Sequence, residues 1–442
     1  MRLTRTPTVA FSVAILLTGL AMAWPAAASE DWPQFRGPSG DGISTAKGVP
    51  LTWSETENIA WKAAIPGRGR SSPVLLGDRI WLTTAVEQGA ERKRIGPDDM
   101  TVAAHVALGV VCLDRASGRI LWHTTIFEID RPQPAHWLNS WATPTPVAEP
   151  GRVYCDFGAL GTACVDAESG QVLWTQQLPI DHMVGAGSSP ILWRDLLVLI
   201  RDGIDQQYVV ALDKRTGQVV WKTNRPPLDA TNDQKKAFST ALVIVVNGVE
   251  QLIAVGAQWV VSYEPATGKE IWRVRHGRGF SLAPRPLFGN GLLYICTGCM
   301  VPKLWAIRPD GQGDVTATHV AWKSGDEPIP VMSTPILVGQ EVYSVSDQGA
   351  VVCFDALTGQ VVWRGRIPGQ YQASPVFADG RLYFFARDGR TTILKAGRQF
   401  EKLAENKLTG DVIASPPVVG GAIFLRTDTH LYCIAARPAA AP

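Results

Sequence analysis

Chemistry in this chain would have to be done by a few polar and aromatic residues lying in stretches too irregular to be strands. In chain order they are His136, Asn139, Asp202, Gln206, Arg285, Tyr371 and Arg387, with Trp137, Asp205, Phe238, Gln370 and Asp388 in the same loops. An imidazole, amides, a carboxylate, a phenol and guanidiniums in long loops suit hydrogen bonding to a ligand or a peptide, so these seven are the candidate ligand- or partner-binding residues. They carry no catalytic signature. There is no G-x-S-x-G elbow and no H-E-x-x-H pair, and His136, His182, His276 and His319 are scattered. Cys296 and Cys299 form a C-x-x-C pair with no second Cys/His cluster and no following His. Neither a zinc site nor a haem attachment is expected there. No catalytic residue, metal or resident cofactor is assigned.

The elements that position these loops are set by a repeat. One phrase recurs, an acidic residue, a turn ending in Gly and then a Trp. CLDRASGRILW begins at Cys112, CVDAESGQVLW at Cys164, ALDKRTGQVVW at Ala211, SYEPATGKEIW at Ser262 and CFDALTGQVVW at Cys353. A degenerate copy runs from Ala306 to Trp322, and one near Leu394 to Phe400 lacks the Trp. Each copy reads as a hairpin whose Gly accepts positive φ and whose Trp opens the next strand. A second signal, a small residue and Pro leading into an apolar strand, recurs at Ser71, Thr143, Ser188, Ser333, Ala373 and Ala414, with variants at Ser239 and Ala283. Self-similarity at this period predicts an all-β fold, an eight-bladed β-propeller of four-stranded antiparallel blades. The eighth unit lacks an outer strand, and Asn58–Ala63 is a Trp-led strand with no unit before it. The N-terminal strand is therefore expected to complete the last blade and close the ring. Trp61, Trp122, Trp174, Trp221, Trp272, Trp322 and Trp363 are the expected inter-blade docking residues.

The expected organisation is a signal peptide at 1–28, an N-terminal arm at 29–57, the propeller at 58–437 and a short tail at 438–442. The leader reading rests on Arg2, Arg5, an apolar run from Val9 to Ala23 and small residues after Pro25. The run is too short for a membrane span. No cysteine lies near the cleavage position, so a soluble periplasmic or secreted protein is expected. Removing Arg2 and Arg5 from the 42 basic residues leaves them equal in number to the 40 acidic ones. That balance, with no basic stripe, argues against a nucleic-acid partner. Charged residues are 19% of the chain and hydrophobic ones 46%, which suits blades packed face to face. The second-to-third-strand loops and inter-blade connections, such as Val86–His105 and Ile126–Ala142, read as long and irregular, so the binding face is placed there. A hairpin centred between Ala159 and Leu160 would set Cys155 opposite Cys164, where a disulfide competes with two packed thiols.

The phrase from Ala211 to Trp221, with Asp213, Thr216 and Gly217, resembles the tryptophan-docking repeat of pyrroloquinoline-quinone (PQQ) propellers. The stretch Asp31-Trp32-Pro33-Gln34-Phe35-Arg36-Gly37-Pro38 looks like the leader of exported PQQ-like propellers. The chain is also similar to the propeller lipoprotein of the outer-membrane β-barrel assembly machine, but lacks a lipid-bearing Cys. The resemblance implies a quinoprotein-dehydrogenase-like ring, working as a non-catalytic binding or scaffold module. Its partner would be an envelope protein, a peptide segment or a small ligand at the channel mouth. The chain would be a monomer or part of a complex, with no membrane span. The alternative it implies is a PQQ-dependent oxidoreductase acting on an alcohol or sugar, holding PQQ and calcium.

Overall fold

The computed structural model describes residues 31–436; the expected leader and tail lie outside them. The described residues form eight sheets that each contain four antiparallel strands, in chain order in all but the last, whose outer strand comes from the N-terminal side. Blades 1 to 8 are numbered here by their first strands, which begin at Val74, Val147, Ile191, Leu242, Leu287, Ile336, Val376 and Val418. Second and third strands read as apolar runs because both faces meet a neighbouring blade. Val153, Tyr154 and Cys155 of blade 2 are fully buried, as are Val209 to Leu212 of blade 3. Outer strands alternate, as in Ile59–Ala64, because one face is wet.

The repeated phrase has a local cause. Asp114 accepts hydrogen bonds from the backbone N–H (2.8 Å) and hydroxyl (2.5 Å) of Ser117. Asp213 does the same for Thr216, and Asp355 for Thr358. These Asx turns close the third hairpin. The Gly that follows is required twice over. Gly217 has φ +74°, and a Cβ there would come within 2.5 Å of the Trp174 ring of the preceding blade. The Trp174 indole N–H also donates to the Lys214 carbonyl in the same turn. Trp61, Trp221, Trp322 and Trp363 make equivalent bonds to Arg115, Pro265, Ala356 and Gly397. Trp272 departs from the pattern. The blade 5 turn is enlarged, and its Gly313–Asp314 strand pairs in parallel with Glu270–Arg275 of blade 4. Trp272 is fully buried and donates to Gln251 in its own blade. Blade 7 lacks a Trp; Trp53 from the N-terminal arm packs beside its outer strand, held to Asn406.

Blade 8 is built from both ends of the chain. Ile59–Ala64 pairs antiparallel with His430–Ala435, with Trp61 opposite Cys433. The arm before it runs across the short-turn face, bridging Trp32 to Leu75 and Ile43 to Phe377.

The Ser-Pro lead-ins also have a structural reason. The Ser72 N–H donates to the Thr145 hydroxyl, the Thr145 N–H to Ser189 and the Ser189 N–H to Thr240. From the blade 5 lead-in the series resumes, Arg285 to Thr334, Ser374 and Ser415. Six of the eight junctions between blades are thus latched around the channel, all but those of blade 4 with 5 and blade 8 with 1. Ser189→Ala would leave the Thr145 N–H without an acceptor and is expected to cost about 1–2 kcal/mol in urea unfolding. A change below about 0.3 kcal/mol would refute a latch.

Two expectations are corrected. Tyr154, and not Cys155, lies opposite Cys164; Cys155 faces Ala163. The hairpin turns through a three-residue 3-10 element, Gly158–Leu160, and is centred on Ala159. A one-residue slip sends the two thiols to opposite faces of the sheet. Cys155 packs toward blade 1 and Cys164 toward blade 3, and both are free. The loop Val86–His105 is also not irregular. Strands extend to Gln88 and from His105, and between them Glu91–Ile95 and Asp98–Val102 form a hairpin that takes Ala135–His136 as a third strand. This small sheet is a strap over the long-loop end of the channel.

Candidate functional site

The channel is blind at its short-turn end. Phe35 lies at its floor, and the buried Arg36 beside it donates to the carbonyls of Asp41, Pro335 and Pro375. Above the floor is a cavity of about 470 Å³ lined from every blade. Its lower wall holds Ser72, Thr145, Ser189, Thr240, Ser374 and Ser415. Its upper wall is mainly apolar, with Phe238, Phe280, Val331 and Ile413. Pro97 and Asp98 of the strap reach over it.

The candidate residues divide sharply. His136 and Asn139 line the cavity. Burial lowers the His136 pKa and so favours the neutral ring. The Asn139 amide is spent internally, donating to the Val184 and Ala186 carbonyls at 3.0 Å and accepting from Ser140 and Thr143. Arg387 lies in a separate groove of about 630 Å³ at the rim, with Gln370, Asp388 and Asp411. The other four do not join them. Arg285 is buried at the blind end, where its guanidinium donates to the Ala241 and Phe35 carbonyls. Tyr371 is fully buried between blades and donates to the Pro368 carbonyl. Asp202 is buried beside Arg225, Oδ1 to Nε 3.4 Å, and burial pushes its carboxyl up to about 6. Gln206 is exposed at a turn tip.

What gathers at the mouth is a cation–aromatic cluster. The Trp137 ring lies between the guanidiniums of Arg92 at 4.2 Å and Arg387 at 4.4 Å. Arg387 Nε donates to Asp411 Oδ1 at 2.8 Å, and Arg70 Nη2 to Asp411 Oδ2 at 3.0 Å. Arg92 in turn holds Asp99 on the strap. Arg92 and Asp411 escaped sequence reasoning because nothing local marks them. Arg70 directly precedes the Ser71-Ser72-Pro73 lead-in, a position that could have marked it, but the lead-ins read only as strand starts.

Two histidines near the interior set a pH dependence. His182 accepts from the Ala159 N–H, and His276 donates to the Gly256 carbonyl. Burial holds His182 down to about 3 and His276 down to about 4. Both are neutral when folded, whereas the unfolded chain protonates them below about pH 6.5. Their contribution is complete above that pH and is lost as pH falls from 6.5 toward 4. At pH 5 the loss is about 2 kcal/mol per histidine. Asp202, raised by burial, acts in the opposite sense below pH 6. His276→Gln should therefore narrow the stability difference between pH 7.5 and pH 5 by about 2 kcal/mol. An unchanged difference would show that His276 titrates normally.

Calcium takes about six to eight oxygen ligands converging on one point. Among the described residues no three His, Cys, Asp or Glu groups are arranged to hold a metal ion. Of the cavity carboxylates, Asp233 is paired with Lys236 and Asp98 sits on the strap. There is no adjacent cysteine pair. No helix of the described residues is long and apolar enough to cross a membrane.

The model of the family described as outer membrane protein assembly factor BamB matches residues 107–258 and 256–427. The tetrathionate hydrolase of Acidithiobacillus ferrooxidans is 21% identical, over 66% of this chain and 65% of that protein. A quinohemoprotein alcohol dehydrogenase of Pseudomonas putida is 24% identical, over 54% of this chain and 33% of that protein. The outer membrane protein assembly factor BamB of Burkholderia pseudomallei is 28% identical, over 50% of this chain and 54% of that protein. The chain thus spans between a third and two thirds of the length of these curated relatives. The BamB structure from Moraxella catarrhalis superposes with TM-score 0.53 at 14% identity, covering 80% of this chain and 98% of that one. The Pseudomonas putida quinohemoprotein dehydrogenase structure gives TM-score 0.60 at 13% identity, covering 93% and 82%. These structural likenesses establish the propeller fold.

Proposed function

This chain belongs to the outer membrane protein assembly factor BamB family, and from that premise we propose that it is an exported, non-catalytic propeller that binds an envelope protein segment on its long-loop face. The observation that carries this reading is the mouth cluster. Arg92, Trp137 and Arg387 present stacked guanidinium and indole surface at the rim, and Arg and Trp are the residue types that dominate the energetics of protein interfaces. Beside them Asp411 is engaged by Arg70 and Arg387, and among the described residues no group of three His, Cys, Asp or Glu is placed to hold a metal ion.

The test uses the full chain, crosslinked in an envelope fraction. A discrete adduct should form with the wild type and fall by about tenfold with Trp137→Ala, a loss typical of an interface anchor. The competing oxidoreductase reading is tested in the same preparation. Stoichiometric PQQ binding in calcium, with dye-linked oxidation of an alcohol or sugar, would overturn the scaffold reading. So would an adduct yield insensitive to Trp137 and Arg387 substitution.

A further inference from the structure

The central cavity holds more hydrogen-bond donors than the protein uses. The hydroxyls of Thr145, Ser189, Thr240 and Ser374 each accept a backbone N–H from the preceding blade and donate to no atom of the described residues. All four line the cavity. A hydroxyl that has accepted an amide proton still has its own proton to give. What this ring lacks is an acceptor.

The buried charge around it has the matching sign. Arg36 and Arg285, at and below the floor, bond only to backbone carbonyls. Arg426, buried behind the blade 1 lead-in, bonds only to Ser71. Burial presses Arg36 and Arg426 down to about 9 and Arg285 to about 10, so all three remain cations at neutral pH. Against these three stands Asp41, which acts on Arg36 and Arg285. Arg70 is balanced separately by Asp411 and Asp428, and Asp347 accepts the Val331 N–H on the upper wall. Asp233 is cancelled by Lys236, and Asp98 lies at the outer end on the strap. An excess of buried cation behind a ring of donors makes a positive potential at the bottom of the cavity. Higher up, Phe238 and Phe280 offer apolar wall.

We propose that this cavity receives a small organic carboxylate, its apolar body against Phe238 and Phe280 and its carboxylate among the hydroxyls of Thr145, Ser189, Thr240 and Ser374. The proposal concerns the channel interior and not the rim, so it stands or falls independently of segment binding.

The experiment is calorimetric titration of the full chain at neutral pH with benzoate and, as the neutral control of similar shape, benzyl alcohol. Charge-assisted hydrogen bonds are about twice as strong as neutral ones. Benzoate should bind one per chain and at least about tenfold tighter than benzyl alcohol. Thr240→Val removes one donor and should weaken benzoate by about threefold to tenfold. Because it also removes the acceptor for the Ser189 N–H, a second variant is needed. Phe238→Trp fills the cavity with every latch hydroxyl in place, and should abolish benzoate binding while thermal unfolding stays near that of the wild type. Equal affinity for benzoate and benzyl alcohol, no saturable benzoate binding up to about 10 mM, or unchanged binding by folded Phe238→Trp would each overturn the proposal. Crosslinking to an envelope segment is unaffected by any of these outcomes.

Discussion

Deleting residues 31–64 will abolish the soluble monomeric fold. The cut removes the outer strand of blade 8, which pairs with His430–Ala435. It also removes Trp32 and Trp53, each 3% exposed, and Arg36 with its three carbonyl bonds. Blade 8 is left with an unpaired strand edge, the channel with no floor and the outer strand of blade 7 without Trp53. The loss is expected to exceed the about 5–15 kcal/mol that holds a typical domain folded. Exposed strand edges then pair between molecules, so the product should aggregate. Size-exclusion chromatography and circular dichroism read the outcome directly. Supplying the missing segment as a peptide should restore part of the soluble fraction. A monomeric deletion product with wild-type unfolding would mean that the ring does not need its seam.

The second large effect is expected at the interface of blades 2 and 3. Arg201 and Asp156 are both about 1% exposed and make a bidentate pair, Nη2 to Oδ1 at 2.6 Å and Nη1 to Oδ2 at 3.1 Å. Thr162 joins them, its hydroxyl donating to Asp156 and accepting from Arg201. Arg201→Met leaves a buried carboxylate facing only a hydroxyl, which should cost about 3–5 kcal/mol. Replacing both charges, Arg201→Met with Asp156→Leu, should recover most of that loss, because an apolar pair carries no unpaid desolvation. Urea unfolding of the two single variants and the double variant decides it. A double variant as unstable as Arg201→Met would show that shape, and not the uncompensated charge, sets the cost.

The ring was legible in the sequence because its defining contacts are local. The Asp213 to Thr216 turn and the Gly217 left-handed backbone are written within five residues. The seam was legible too, since an orphan Trp-led strand and a three-stranded final unit imply each other. The site was much less so. Arg285 reads as a loop residue because its partners, Ala241 and Phe35, are 44 and 250 residues away. Tyr371 falls in a loop by pattern, but that loop folds back between blades; Asp202 reads as a loop residue but ends the strand Leu196–Asp202, opposite Gln207. The cysteine register failed on one residue of turn length, which periodicity cannot supply. The Ser-Pro lead-ins were seen as strand starts, while their role as latches depends on neighbours one blade away.

The seam also sets a timetable. The strand containing Trp61 leaves the ribosome about 370 residues before its partner around Cys433. Seven blades can form in order as the chain emerges, each resting on the one before. The eighth must wait for that partner, and until then the growing ring is an open arc with a bare edge at each end. Closure of the ring is therefore gated by the strand His430–Ala435, and a truncation that removes it leaves every earlier blade in a molecule that cannot shut.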